Sequence, residues 1–397
     1  MLIGIVGKPS SGKSTYFAAA TLVDVARAAY PFTTINPNRG MGFVRVACVD
    51  VDFNTQCNPR TGFCINHIRF IPVELLDVAG LVPGAHEGKG LGNKFLDDLR
   101  QADVLIHVVD ASGSTNEKGE AVEPGSHDPC QDILFLEEEI ELWMMGILEK
   151  NWAKFARQPL TTKQQVIDAV AKGLSGLGVT NHHVDVALNK TKLGEKKLSE
   201  WNEEDKRRFV NESRLISKPI VIAANKMDLP YTAGNVERLK KTFPHLLIIP
   251  CSAEADLTLR KADKNNLISY IPGSPDFLKN KELNPAQEQA LQYIHEKVLI
   301  PLNGTGVQRV LDETVFSALG YMAIFPGGTK GLADKDGNII PDCFLMPPHS
   351  TTLDFAFRLH TDFGKNFIKA IDVKTKMLLG KDHLLSNRDV IEIVAGR

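Results

Sequence analysis

The segment GKPSSGKS at 7–14 has the composition of a phosphate-binding loop. It matches the pattern G-x-x-x-x-G-K-[ST] in full, after a short apolar run and before the helix-forming stretch TYFAAATLV. In such a loop, backbone N–H groups and a helix N-terminus bind phosphate oxygens, and Gly12 permits a close approach of the backbone. Lys13 is expected to reach the β- and γ-phosphates, and the Ser14 hydroxyl to bind Mg²⁺. The predicted nucleotide-binding residues here are Gly7, Lys8, Pro9, Ser10, Ser11, Gly12, Lys13, Ser14 and Thr15.

A second motif, NKMD at 225–228, follows the apolar run PIVIAA. The carboxylate of Asp228 can accept hydrogen bonds from both N1–H and the 2-amino group of guanine, a pair of donors that adenine lacks. The Lys226 stem can lie over the base, and Asn225 can join this loop to the phosphate-binding loop. The segment CSAEAD begins at Cys251, and its backbone can meet the guanine O6. The predicted base-binding residues are Asn225, Lys226, Asp228, Ser252, Ala253 and Glu254. The sequence therefore favours GTP over ATP.

A third motif, DVAGLVPG at 77–84, is typical of a γ-phosphate sensor. At this distance after a phosphate-binding loop, Asp77 is expected near the metal and the Gly80 N–H near the γ-phosphate. Leu81 then stands where many GTPases have a polar residue that orients the attacking water, and a leucine cannot bind water. His86 is a candidate replacement; it can equally be a packing or solvent-exposed side chain. A partner that supplies the missing group is a further alternative.

Short apolar runs place these motifs at the ends of strands. The runs are rich in β-branched residues and alternate with segments that can be helical, which predicts a mostly parallel α/β sheet with helices on both faces. Ligands of such sheets collect at the carboxyl ends of the strands. The predicted strands are 2–6, 68–76, 104–110, 219–225 and 246–251, and the loops expected to gather on one edge are 7–14, 77–84, 225–228 and 251–254.

Two further regions interrupt or follow this alternation. Between Asp110 and Pro219, a polar loop precedes amphipathic helix patterns in which Ile133, Leu136, Ile140, Met144, Ile147 and Leu148 share one face. From about 309, strand-like runs flank the helix pattern STTLDFAFRLHTDFG, which indicates a small α+β domain. The predicted domains are 1–112 with 216–308 for nucleotide binding, 113–215 as a helical insertion, and 309–397 at the C-terminus.

The bulk composition is that of a multi-domain soluble protein. Of 397 residues, 43% are hydrophobic and 24% charged, and no stretch is long enough for a signal-peptide core or a membrane span. We therefore expect a cytoplasmic protein without a membrane partner. A net charge of −2 gives no general attraction to nucleic acid, so no DNA sequence recognition is expected and any RNA contact must be local. The candidates are basic residues interleaved with aspartates: Lys365, Lys369, Lys374, Lys376, Lys381 and Arg388.

The six cysteines are few and unevenly spaced, which does not resemble a disulfide framework. Cys57, Cys64 and His67 are close enough in sequence to suggest a metal site. Their C-x6-C-x2-H spacing matches no common zinc motif, however, and lacks a clear fourth ligand. The alternative is a hairpin that contains small buried thiols.

The motif set resembles the Obg-like family of GTPases, and specifically its YchF-like branch. The resemblance lies in GKPSSGKS, YPFTTINPNRG, DVAGLVPGAHEGKGLGNKFL, NKMD and CSAEAD. The C-terminal PPHSTTLDFAFRLHTDFGKNFIKAI with DVIEIV is similar to a TGS domain, a small β-grasp module. Some members of the branch have a degenerate base motif and prefer ATP, whereas NKMD here retains the aspartate expected for guanine.

The resemblance implies a Mg²⁺-dependent GTPase that acts as a slow molecular switch associated with ribosomes or RNA through its TGS-like domain. It places Thr34 as the Mg²⁺-binding threonine of switch I, with Thr33 as the alternative, and Asp77 and Gly80 at the start of switch II. Lys13, Thr34, Gly80 and His86 are then the candidate catalytic residues, and Ser14, Thr34 and Asp77 the candidate metal ligands. Two other functions are left open: a nucleotide-gated RNA- or ribosome-binding module with little turnover, and an ATP-preferring hydrolase.

Overall fold

The computed structural model describes residues 1–22, 38–78, 92–156 and 162–396. Its main sheet is seven-stranded, with the order β2-β4-β1-β5-β6-β7 and β3 paired to β4. The strands are β1 (Leu2–Val6), β2 (Arg39–Ala47), β3 (Phe63–Ile65), β4 (Ile68–Asp77), β5 (Val104–Asp110), β6 (Ile220–Asn225) and β7 (Leu247–Pro250). In the sheet, β4, β1, β5, β6 and β7 run parallel to one another, whereas β2 and β3 pair antiparallel with β4. Each predicted strand is present and differs only at its ends.

Helices cover both faces of this sheet, as predicted. On one face, Phe95 and Val236 pack in a core with the insertion helices; on the other, Tyr16 and Val310 pack against the strands. Every residue of β5 is buried, as expected for a central parallel strand. In chain order the α-helices are α1 (Lys13–Thr21), α2 (Gly92–Gln101), α3 (Pro129–Ala156), α4 (Lys163–Leu174), α5 (Asn181–Thr191), α6 (Glu203–Ser217), α7 (Thr232–Thr242), α8 (Ala253–Lys264), α9 (Pro285–Ile294), α10 (Ile300–Leu302), α11 (Val307–Glu313), α12 (Thr352–Leu359) and α13 (Thr361–Lys365). None of the helices in the described ranges combines the length and apolarity needed to cross a bilayer.

The helical insertion consists of α3 to α6, between β5 and β6. The predicted apolar face of α3 is buried, except that Ile147 is half-buried against the core. Helix α5 was not predicted from the sequence. It begins at a capping box in which the Thr180 side chain accepts a hydrogen bond from the His183 backbone N–H, and the Thr180 backbone N–H donates one to His183 Nδ1.

The C-terminal region forms a separate five-stranded sheet with the order β11-β10-β14-β12-β13. Its strands are β10 (Met322–Pro326), β11 (Phe344–Met346), β12 (Phe367–Asp372), β13 (Leu378–Leu379) and β14 (Val390–Ala395); a two-stranded sheet of β8 (Ile268–Ser269) and β9 (Leu278–Lys279) precedes them. Phe355 of α12 fills the core beneath this sheet. The single predicted helix is divided into α12 and α13 because His360 adopts an extended backbone and caps α13. The exact domain boundaries remain a proposal.

Candidate nucleotide site

The parallel strands bring the predicted loops to one edge of the main sheet. In the strand register, Ile5 lies opposite Asp77, and Asp110 lies opposite Asn225. Cys251, directly after β7, donates its backbone N–H to Ala224 of β6. The loops that follow β1, β6 and β7 therefore surround a common region, at the position where open α/β sheets bind ligands. Of the loop at 77–84, only Asp77 and Val78 are among the described residues.

The phosphate-binding loop has the backbone that its motif predicts. Gly12 precedes α1 with φ 91°, and Ser10 also has a positive φ of 61°. A side chain at Gly12 would meet Asn225, since an added Cβ would lie 2.2 Å from the Asn225 amide nitrogen. Glycine is therefore needed here for both conformation and space. The N-terminus of α1 faces this loop, with Ser14 exposed in its first turn.

Lys13 and Asp77 lie together at the sheet edge. The Lys13 Nζ forms an ion pair with Asp77 Oδ1, and the two side chains are 14% and 25% exposed. The residue predicted to bind the β- and γ-phosphates is thus adjacent to a residue predicted to bind the metal. Solvent still reaches both groups, so the pair lies in an open part of the site.

Lys8, by contrast, turns its side chain into the protein. Its Nζ donates to the Thr115 carbonyl at 2.7 Å and pairs with Asp132 of α3 at 2.9 Å. Asp132 also contacts His127 Nε2 at 2.9 Å, and burial raises the pKa of this carboxyl. Lys8 can therefore reach a phosphate only through its backbone. Its side chain links the phosphate-binding loop to the helical insertion.

Asn225 joins the three predicted nucleotide-binding segments. Its Nδ2 donates to the Ser11 carbonyl at 3.0 Å, and its Oδ1 accepts from the Ala253 N–H at 2.9 Å. The side chain is 2% exposed, so both bonds are shielded from water. The contact between Asn225 and the phosphate-binding loop predicted from the sequence is therefore present.

Asp228 is positioned by the segment after β7. Its Oδ1 accepts a hydrogen bond from Ser252 Oγ at 2.6 Å, and the side chain is half-buried. Among the described residues, its other carboxylate oxygen has no hydrogen-bond partner. Glu254 is exposed in the first turn of α8. The carboxylate is held in place and still has an oxygen for a ligand.

Asp110 is a residue of this site that sequence reasoning missed. Its Oδ2 accepts from Lys226 Nζ at 2.8 Å and from Thr115 Oγ1 at 2.8 Å, and its Oδ1 accepts from Ser112. Burial opposes ionisation, but these hydrogen bonds outweigh it and lower the pKa of Asp110. The sequence feature that could have identified Asp110 is its position as the last residue of β5, between the strands that end at the phosphate- and base-binding loops. Asp110 thus fixes Lys226 beside the predicted base position.

The remaining candidates cannot be placed in this geometry. Thr33, Thr34, Gly80, Leu81 and His86 lie outside the described residues. Their roles stay predictions from the sequence.

The buried His107 of β5 lies beside the site and is expected to make the stability of the protein depend on pH. It is 1% exposed, and burial and then the charge of Lys8 lower its pKa to about 3, from an ordinary value of 6.5. As the pH falls below 6.5, the unfolded chain takes up a proton that the native state does not, so the free energy of unfolding decreases until about pH 3. This single group is expected to remove about 2 kcal/mol between pH 7 and pH 5.

Chemical denaturation of wild type and His107→Leu at these two pH values checks this expectation. The wild type should lose more stability on acidification than the variant. The exposed His182, replaced by leucine, serves as the matched control and should leave the pH dependence unchanged. Equal pH dependence in wild type and His107→Leu would contradict the prediction.

Three family models match successive parts of the chain. Residues 2–136 match the 50S ribosome-binding GTPase model, and residues 223–327 match the model described as Obg-like GTPase YGR210-like, G4 motif-containing domain. Residues 333–395 match the TGS domain. The first two matches contain the loops that form the candidate site, and the third contains most of the second sheet.

Full-length relatives agree with these matches. The chain is 43% identical over 395 residues to an uncharacterized GTP-binding protein of Methanocaldococcus jannaschii, with 99% of each chain covered. It is similar throughout to the crystal structure of a GTP binding protein from Pyrococcus horikoshii, at 37% identity, a TM-score of 0.79 and full coverage of both chains. A ribosome-binding ATPase YchF of Mycoplasma genitalium is 29% identical over 372 residues, which cover 92% of this chain and 86% of the relative.

Proposed function

Because this chain belongs to the YchF-like branch of the Obg-like GTP-binding proteins, we propose that it hydrolyses GTP to GDP and phosphate as a slow molecular switch. The observation that carries this proposal is the bridge made by Asn225, which joins the Ser11 carbonyl to the Ala253 N–H. One buried side chain thereby holds the proposed phosphate- and base-binding segments in a fixed relation. Such positioning is the main requirement of phosphoryl transfer, which involves little covalent chemistry by the protein.

The base preference rests on Asp228. Relatives near 30% identity have names that specify ATPases, so family membership alone does not select the nucleotide. Asp228, held by Ser252, offers a carboxylate that matches the two donors of guanine and faces an acceptor in adenine. A site built for such a hydrogen bond discriminates strongly against a ligand that lacks it. We therefore propose GTP, in preference to ATP, as the substrate.

The residues present fit Mg²⁺. The Ser14 hydroxyl and the Asp77 carboxylate are hard oxygen donors of the kind that Mg²⁺ prefers, and the ion pair of Asp77 with Lys13 keeps that carboxylate at the phosphate-binding loop. Thr34 is the third proposed ligand. When bound, Mg²⁺ neutralises charge on the phosphate oxygens. Lys13 also neutralises charge on the phosphate oxygens, and it orients the terminal phosphate.

The proposed hydrolysis is slow because of the residue that follows Gly80. Gly80 is proposed to bind the γ-phosphate through its backbone, while Leu81 cannot orient water. His86, or a group from a partner, is proposed to complete the site. A rate that rises on partner binding is then the expected behaviour of the switch.

The proposed partner is the ribosome or an RNA, which the protein binds in the cytoplasm through its TGS-like domain. Several relatives are named as ribosome-binding ATPases. Within the described ranges, two of the six basic candidates have side-chain contacts: Lys374 pairs with Asp52 at 2.6 Å, and Arg388 donates to the Ala47 carbonyl at 2.9 Å. Basic side chains that remain exposed include Lys365, Lys376 and Lys381. These three are the better candidates for phosphate contacts.

Multiple-turnover GTP hydrolysis with and without ribosomes tests this function. We expect slow release of phosphate by the protein alone and faster release with ribosomes, and co-sedimentation with ribosomes that depends on the bound nucleotide. Binding should weaken with rising salt and when the three exposed lysines are replaced by alanine. Co-sedimentation without any phosphate release would instead support the alternative of a nucleotide-gated binding module.

A further inference from the structure

A group of buried thiols lies at the opposite end of β4 from the nucleotide site. Cys48 follows β2, Asp50 lies in the short 3₁₀ helix Val49–Phe53, Cys57 lies in the next loop, and Cys64 is in β3. The three sulfurs and one carboxylate oxygen of Asp50 all lie within 4.8 Å of one another. We call these four residues the thiol cluster.

The spacing within the thiol cluster suits a tetrahedral metal ion. Cys48 Sγ lies 3.5 Å from Cys57 Sγ, and Cys64 Sγ lies 4.0 Å from Asp50 Oδ2. Two sulfurs bound to zinc at about 2.3 Å are about 3.8 Å apart in a tetrahedral site. Cys48, Asp50 and Cys57 are buried and Cys64 is half-buried, so the four groups enclose a closed position.

Arg69 provides a second, independent observation. It lies opposite Cys64 in the strand register and is fully buried, yet its Nε and Nη1 lack hydrogen-bond partners among the described residues. Within that part of the chain it also forms no salt bridge with a carboxylate. Its Nη2 donates to the Ile340 carbonyl and its guanidinium lies over the Phe325 ring, so the cation is partly compensated, but it has no anionic partner among the described residues. A buried cation without an anion is costly. Thiolates bound to a metal would give the cluster a net negative charge near this guanidinium, which would reduce that cost.

His67 has a different place from the one that its sequence spacing suggested. Its Nδ1 contacts Asp50 Oδ1 at 3.0 Å, on the other carboxylate oxygen from the one near Cys64. Cys48 and Asp50, which precede the C-x6-C-x2-H pattern, join Cys57 and Cys64 in place of His67 and bring the number of candidate ligands to four. Outer contacts of this kind orient metal-binding carboxylates.

We infer that Cys48, Asp50, Cys57 and Cys64 bind one structural Zn²⁺ ion, with His67 as a positioning residue for Asp50. Thiolate ligands select zinc over Mg²⁺ or Ca²⁺, and four protein ligands leave no open position for catalysis. This site is separate from the nucleotide site and does not depend on the proposed GTPase activity.

The metal would stabilise the contact between the main sheet and the C-terminal domain. The loop that carries Cys57 donates backbone N–H groups from Asn58 to Ile339 at 3.1 Å and from Arg60 to Pro341 at 3.0 Å. Arg60 also pairs with Asp342. Fixing this loop therefore fixes the position of 339–342.

Metal analysis of the reduced, full-length protein tests this inference. We expect one zinc per chain. After chelation, Co²⁺ should bind with equal stoichiometry and show thiolate-to-cobalt charge-transfer absorption and tetrahedral ligand-field bands. Hydrogen exchange at 47–67 and 339–342 should slow when the metal is restored.

Single variants locate the ligands. Cys57→Ala and Cys64→Ala should each lose the bound metal equivalent and the cobalt spectrum. Cys130→Ala, at a buried cysteine in α3 outside the thiol cluster, should keep both. Should a cluster variant fail to fold, the wild-type titration decides alone. The inference is overturned if reduced wild type binds no cobalt through thiolates, or if the purified protein contains a Cys48–Cys57 disulfide.

Discussion

Lys13→Ala is expected to lower kcat/KM for GTP hydrolysis by about 10²–10³-fold, the typical loss when one preorganised group that stabilises transition-state charge is removed. The lysine Nζ lies at the open sheet edge, paired with Asp77, and no other lysine of the phosphate-binding loop can replace it. The neighbouring Lys8 is held by Thr115 and Asp132 and faces away. Removing Lys13 also leaves Asp77 without its cation, which adds negative charge where the phosphates must bind.

Phosphate release under multiple-turnover conditions measures this effect, with and without ribosomes. The control is Lys240→Ala, which removes the same charge from the exposed face of α7 and should keep wild-type turnover. Circular dichroism and thermal unfolding establish that both variants are folded. If Lys13→Ala and wild type release phosphate at the same rate in both conditions, the switch function is wrong.

Local patterns were sufficient to predict the scaffold of the site. Continuous apolar runs correspond to the strands β1, β5 and β6, which are buried along their whole length, because a parallel strand covered on both faces needs apolar residues throughout. The glycine at position 12 was identified from its motif, and the structure supplies the reason in its positive φ and the nearby Asn225. These features depend on residues close in sequence, so they could be predicted.

Features that depend on distant residues were not predicted. The inward direction of Lys8 is set by Thr115 and Asp132, and no pattern near position 8 indicates it. The buried residues of helix α5 are mostly Val184, Ala187 and Leu188. So few apolar residues in a polar segment are a weak sequence signal for a helix.

The thiol cluster shows the same limit. The sequence suggests Cys57 and Cys64 as a pair because they are close together and share a hairpin region. Cys48 was not associated with them, since it lies beyond the 3₁₀ helix and is brought near by the antiparallel pairing of β2 with β4. That antiparallel strand was itself missed, so the ligand it positions could not be predicted.

The second large effect is expected for Asp228→Asn, which should weaken GTP binding by about 10²-fold or more. Two hydrogen bonds from guanine to a charged carboxylate contribute about 1.5–3 kcal/mol each, and a loss of about 3 kcal/mol corresponds to about 10²-fold in Kd. An asparagine oxygen can still accept from N1–H, but its amide group meets the guanine 2-amino donor with another donor. Xanthine has a carbonyl at that position, so the variant should gain affinity for xanthosine triphosphate.

Equilibrium titration of GTP, ATP and xanthosine triphosphate on wild type and variant measures this exchange of specificity. Asp276→Asn is the matched control, because it makes the same change at an exposed carboxylate outside the proposed site. Ser252→Ala should weaken GTP binding less, since the Ser252 hydroxyl holds Asp228 in place, besides capping α8, and leaves the carboxylate itself present. A gain of xanthosine triphosphate binding cannot come from general destabilisation, which lowers affinity for every nucleotide. Equal binding of ATP and GTP by the wild type would contradict the predicted guanine preference. Tighter binding of ATP, with no effect of Asp228→Asn, would instead assign this chain to the ATP-preferring alternative.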